Sequence, residues 1–430
     1  MAQRVIILSP HFAPSKLAGV HRARHLVRHL PDAGWTPILL CVDPAYHEEP
    51  LDPTLADLVP KDIELIRVRA LPSRLTRTVG IGDISLRAWT FLRKSLMHAL
   101  STRFISVVLI TGSPYYPMML ASEIKRRFRI PVVLDFQDPW ISSWAAAQPM
   151  MTKGAIAYHI AAALEPRALR LADFVTSVSE MQNTELAQRY PWLDTDRMAA
   201  IPIGGDPEDF DHLRAHQSSL DNHFGQDGVV EVSYVGSYWP AAKEPIRTLL
   251  RGLARMRAAN PQLTKKLRLN FIGTFPGFGV EQYQIMPIAE AEGVSDCVRE
   301  LPARLPYLDA LWVMSRSDGL VLIGSTEPHY TASKIYPALM SGRPFVSLFH
   351  RASSSHDILS TAGGGRAFAF SSMQELKSLE LPLAEALHML VCTPEIFGTA
   401  NPGACATYHA AAIARRFGNI FDRLAAERAA

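Results

Sequence analysis

Short apolar runs alternate with helix-patterned segments from one end of this chain to the other, and that alternation limits its fold more than any other feature. In the first half the runs are 5–8, 38–42, 63–68, 107–111, 132–136 and 174–178. Most are unbroken rather than alternating, which suits strands buried on both faces of a parallel sheet. A polar, His-rich stretch without apolar period follows at 206–228, and a second set of runs comes at 230–235, 267–272, 320–323 and 345–348. Two successive doubly wound α/β domains explain this better than one large sheet. The expected division is 1–205, a linker at 206–228, and 229–400. The stripe Ile413, Phe417, Ile420, Phe421 and Leu424 then marks a terminal helix within 406–430.

Composition excludes several classes. A hydrophobic fraction of 48% with 20% charged residues is that of an ordinary globular core. The longest apolar helix pattern, 155–164, is too short to cross a bilayer and contains His159. The start, Arg4 to Ser9, reads as a strand rather than a signal peptide, so a cytoplasmic location is expected. Cys41, Cys297, Cys392 and Cys405 match no zinc spacing and read as free thiols. No metal-ligand cluster is legible, and none is expected. The net charge is +3, with 23 Lys+Arg against 18 Asp+Glu in residues 1–205, a surplus of +5. That bias makes an anionic membrane surface or a phosphorylated acceptor a candidate partner. It is too mild to argue for nucleic acid.

Candidate sites cluster where the runs end. After the first run come Ser9-Pro10-His11 and then Gly19, which precedes a helix with Val20, Ala23, Leu26, Val27 and Leu30 on one face. Arg22, His25, Arg28 and His29 lie elsewhere on that helix, as a solvated basic face would. Ser113 follows the fourth run, and Gln137-Asp138-Pro139-Trp140 follows the fifth. In the second half Gly236-Ser237 ends a run and Lys243 follows. The stretch 319–346 reads as a strand, a polar loop with Glu327, a short helix after Ser333-Lys334-Ile335, and another strand. N–H groups at a helix start after a parallel strand suit an anion. That helix is expected to be regular from Pro337, with 333–336 looser.

These motifs resemble those of glycosyltransferase family 4-like (group 1) enzymes, which are retaining and have the GT-B fold. The segment 131–140, PVVLDFQDPW, is the most specific match in the first half, and 319–346 is similar to the family's sugar-nucleotide motif. The resemblance implies two Rossmann-like doubly wound parallel-sheet domains facing across a cleft, with a C-terminal helix crossing back to the first. It implies a sugar moved from a nucleotide-diphosphate sugar, UDP- or GDP-linked, to a hydroxyl acceptor. That acceptor would be a cell-surface glycan, a lipid-linked intermediate or a small molecule. No cofactor or metal is implied beyond the co-substrate, and the leaving phosphate would itself take the acceptor's proton. Asp138, Gln137 and His329 fall at its catalytic places. Gly19, Gly236, Ser237, Lys243, Glu327, Ser333, Lys334 and Ile335 fall at its donor side, and His11, Ser113 and Trp140 at its acceptor side. Bacterial polysaccharide synthesis at the inner membrane face is the expected setting. The sequence also departs from the pattern. His329 and Pro337 stand where the family has two Glu, Gln137 where many members have His, and Ser237 where an Arg is usual. A catalytically silent scaffold, or an epimerase or hydrolase on the same fold, is the alternative reading.

Overall fold

In a computed structural model the chain divides into two compact units. One is Met1–Ile203 with Ala410–Ala430, and the other is Gly204–His409. The structure describes all residues except 1–2, 142–148, 150–151, 219, 222–223, 226–227, 276–281, 329 and 430.

The first unit holds a seven-stranded sheet: β1 (Gln3–Leu8), β2 (Trp35–Val42), β3 (Glu64–Val68), β4 (Val107–Gly112), β5 (Val132–Phe136), β6 (Phe174–Ser177) and β7 (Met198–Ala200). Their order is β3-β2-β1-β4-β5-β6-β7, and the pairings are parallel. Val5 to Leu8 are fully buried, as their unbroken apolar run requires. β7 was not legible, because three residues, Met198-Ala199-Ala200, carry no run. The terminal helix Ala410–Ala429 packs on Val20–His29, with Ile413, Phe417 and Phe421 buried and the Arg22 guanidinium over the Phe417 ring. Trp35 donates to Asp422 at 3.0 Å and lies edge-on to Phe421.

The helix Val20–His29 corrects one expectation. Arg22, His25 and His29 are buried, not solvated. The Arg22 guanidinium donates to Asp135 at 3.1 Å and to the carbonyls of Pro202 and Ile201 at 2.8 and 2.5 Å. Thr176 donates to the other Asp135 oxygen at 2.8 Å. Paired in this way, the charges survive burial. Burial, and next the neighbouring Arg24, push His25 well below its usual pKa and His21 down to about 3. At these two histidines the folded chain therefore binds fewer protons than the unfolded one below pH ~6.5. Stability is expected to fall as pH drops from 6.5 towards 4, and melting temperatures across that window check it.

The second unit holds β8 (Val230–Val235), β9 (Leu267–Ile272), β10 (Val298–Leu301), β11 (Gly319–Ile323), β12 (Phe345–His350) and β13 (Gly365–Phe370), in the order β10-β9-β8-β11-β12-β13. β10 and β13 escaped the sequence reading because buried and half-exposed residues mix along them. The segment 206–228 is not a plain linker. It opens with a 3-10 helix, Pro207–Arg214, capped by Asp206. Tyr307 donates to the buried Asp209 at 2.9 Å, and His216 pairs with Asp309 at 2.9 Å. Its polar residues thus anchor it to the helix Tyr307–Arg316, which is why it shows no apolar period.

Candidate functional site

Each sheet reverses strand order once, between β1 and β4 in the first unit and between β8 and β11 in the second. Open α/β sheets bind ligands beyond the carboxyl ends of strands at such points.

In the first unit the loops after β1, β4 and β5 enclose a pocket of about 350 Å³ whose lining includes His11, Gly19, Ser113, Gln137 and Asp138. Five predicted residues therefore meet in one place. Gln137 is anchored by its N–H on the Gly112 carbonyl at 3.2 Å. Its side-chain Oε1 is buried without a partner. A Cβ on Gly19 would stand 3.2 Å from that oxygen, so glycine gives Gln137 its room. Asp138 is exposed to the pocket, and Tyr115 donates to its carbonyl at 2.7 Å. Its carboxylate has no partner among the described residues. Although the residue has an open face to water, the protein atoms crowding its carboxyl raise its pKa by desolvation. Trp140 is not among the residues lining the pocket; it stacks on Tyr115 at 5.3 Å.

His11 is held by a residue that the sequence did not single out. Its Nδ1 lies 2.9 Å from Glu49 Oε1, and the His47 Nδ1 reaches the same oxygen at 3.0 Å. The Ser15 hydroxyl donates to it as well, at 2.5 Å. Burial alone would raise the Glu49 carboxyl, but hydrogen bonds from His11, His47 and Ser15 hold it far below the usual range. The run His47-Glu48-Glu49 was the available signal, since it follows the end of β2, where loops carry function. His11, His47 and Glu49 offer ligand atoms within 4.8 Å of one another, near enough to hold a divalent cation. The set matches no short metal-ligand spacing, because 38 positions separate His11 from Glu49.

In the second unit Gly236 ends β8 with φ +146°, a conformation that glycine adopts readily. The Lys334 side chain lies against it. A Cβ there would meet Cδ at 3.1 Å and Nζ at 3.2 Å. The ammonium sits 3.6 Å from the centroid of the Tyr234 ring, a cation–π contact. Tyr234 is itself fixed by donating to the Ser237 carbonyl at 3.1 Å. Lys334 keeps part of its surface exposed, yet burial around the amine lowers its pKa to about 7. Lys243 is the first residue of the helix Lys243–Ala259 and is exposed. The Thr326 N–H donates to the Ala241 carbonyl at 3.0 Å, tying the loop after β11 to the turn before Lys243. Glu327 is in that loop, its N–H donating to Ser325 at 3.1 Å.

The helix start differs from expectation. The helix is Ile335–Met340, with Lys334 as its cap residue and no side-chain cap. Pro337 is its third residue, still within the first turn, where no intrahelical N–H is needed. The Ile335 N–H is spent on the Ala332 carbonyl at 3.1 Å, so it does not face a ligand. His329 lies outside the described residues.

No curated protein sequence matches the chain. Among solved structures, Anabaena HepE in complex with UDP and glucose shares 14% identity, with 98% of this chain and all of that one covered at a TM-score of 0.64. The trehalose 6-phosphate synthase of Burkholderia multivorans shares 13% over the full length of both chains, also at 0.64. An E. coli protein bound with UDP-2-fluoro glucose shares 13% over 97% of this chain and 99% of that one, again at 0.64. At such identities the likeness establishes the fold, two parallel-sheet units of the GT-B kind. No helix among the described residues is long and apolar enough to cross a membrane. Within that fold, residues 19–204 match the family model of the Glycosyl transferase 4-like domain.

Proposed function

We propose that the chain is a glycosyltransferase that moves a sugar from a nucleotide-diphosphate sugar to a hydroxyl acceptor. The observation that carries this reading is the Lys334 ammonium, set against Gly236 at the strand-order reversal of the second sheet. A diphosphate leaving group gains negative charge as the glycosidic bond breaks, and a fixed cation there stabilises it. Lys243 is a second cation, in the segment that follows β8 as Lys334 is in the one that follows β11, and Glu327 is the carboxylate available for ribose hydroxyls. The UDP and UDP-sugar complexes of the structural neighbours support the same donor class. In the first unit, Asp138 and Gln137 would accept hydrogen bonds from the acceptor sugar.

Retention of anomeric configuration and independence of metal belong to this proposal through the family resemblance. Proton NMR of the fresh product, and assay after chelation, read the two. The basic first 205 residues keep an anionic membrane surface among the partners. Flotation with anionic vesicles is then expected to show binding that weakens with salt.

The test is a panel of UDP, GDP and dTDP and their sugars. One of them at a hundred times its Kd is expected to stabilise the protein by about 2.7 kcal/mol, seen as a raised Tm. Release of nucleoside diphosphate from the matching sugar should follow. If the whole panel leaves the Tm unmoved, the scaffold reading gains instead.

A further inference from the structure

The surplus of positive charge in the first half points to an anionic acceptor, but the pocket is built the other way. Its lining holds four carboxylates, Glu48, Glu49, Asp83 and Asp138, against a single arginine, Arg87. That arginine is not available to a ligand. Its side chain is 2% exposed, and its nitrogens donate to Glu48 at 3.2 Å, to the Leu71 carbonyl at 2.9 Å and to the Tyr46 carbonyl at 3.0 Å. His11 is likewise engaged, through Nδ1, with Glu49.

Two acceptors of the lining stand out. The Gln137 Oε1 is buried without a partner, in a residue only 5% exposed. The Asp138 carboxylate has none among the described residues. Both are hydrogen-bond acceptors. The Asp138 carboxylate, exposed to the pocket, favours a donor there. Sugar hydroxyls donate; a phosphate or carboxylate group does not, and it would also meet the charges of Asp138, Asp83 and Glu49. The start of the helix Val20–His29 is a feature of the lining that favours an anion. There, however, the Val20 and His21 N–H groups are bonded to the Leu17 and Ala18 carbonyls at 3.1 and 3.2 Å. The space over Gly19 is also taken by the Gln137 oxygen.

We infer that the first unit's pocket seats an uncharged, hydroxyl-rich sugar and rejects sugars bearing a phosphate or carboxylate there. This rests on the glycosyltransferase reading and narrows its acceptor. The experiment is saturation-transfer NMR on the full chain with a saturating nucleoside diphosphate from the panel. The probes are methyl hexosides of the gluco, galacto and manno series, with their 6-phosphates and the matching hexuronides. At least one neutral hexoside is expected to bind, and its charged counterparts at least about tenfold more weakly. Asp138→Asn is expected to narrow that discrimination several-fold, because it removes one of the repelling charges.

An anionic probe binding as tightly as its neutral partner would overturn the inference. So would a bound nucleotide with no bound sugar, or a discrimination that Asp138→Asn leaves unmoved. If neutral sugars bind selectively and no nucleotide does, the glycosyltransferase reading fails while this inference stands.

Discussion

Lys334→Ala should weaken nucleoside diphosphate binding about ten- to a hundredfold, the loss of one charge-assisted hydrogen bond. The same substitution should leave Tm unchanged or raise it. An amine whose pKa is pushed down to about 7 is a charge that folding partly desolvates. A lysine lowered in this way costs stability below pH 7, and the cost fades as pH rises towards its unfolded value near 10.4. A residue that costs stability and strengthens binding is what a site built for an anion would keep. The effect is also linked to protons. A bound diphosphate favours the ammonium form, so binding at pH 8 should take up a proton. Calorimetry in buffers of different ionisation enthalpy reads this directly, and the uptake should vanish in Lys334→Ala. Gly236→Ala should act in the same direction, because its Cβ would crowd Nζ at 3.2 Å and its φ of +146° disfavours a side chain.

Arg22→Ala should destabilise the first unit by about 3–5 kcal/mol, the cost of removing one partner from a buried ion pair. The pair is fully buried on both sides, and its loss strands the Asp135 carboxylate and two carbonyls, Ile201 and Pro202. Asp135 lies near the end of β5, two residues before Gln137, so the pocket should loosen with it. Denaturant melts of the single and double variants check this. Arg22→Met with Asp135→Leu should recover much of the loss, since replacing both charges removes the stranded one. Nucleotide affinity in the second unit should be unchanged in Arg22→Ala, because none of these groups belongs to that unit.

These two residues also mark how far the sequence could be read. Unbroken apolar runs fixed the strand ends, and loops beyond parallel strands are where ligands bind. For that reason His11, Gly19, Ser113, Gln137 and Asp138 could be named and do converge. Arg22 was misjudged because a lone arginine on a helix looks solvated, and its partner is 113 positions away. Glu49 was missed for the same reason, as a loop acid whose partner, His11, comes from another strand end. Lys334 was named for its helix start. Its contact with Gly236 and Tyr234 depends on β8 and β11 being neighbours, which only the sheet order reveals. The strands β7, β10 and β13 lacked an apolar run, so the pattern that found the others had nothing to find.

The central claim is that a nucleotide diphosphate is held where β8 and β11 end in the second unit. Hydrogen exchange of the full chain, with and without the nucleoside diphosphate selected from the panel, tests it most directly. The account predicts slowed exchange at residues 236–238 and 333–336, with both effects lost in Lys334→Ala. A bound nucleotide that protects the loops around His11 and Gln137 and leaves those two segments unchanged would contradict it.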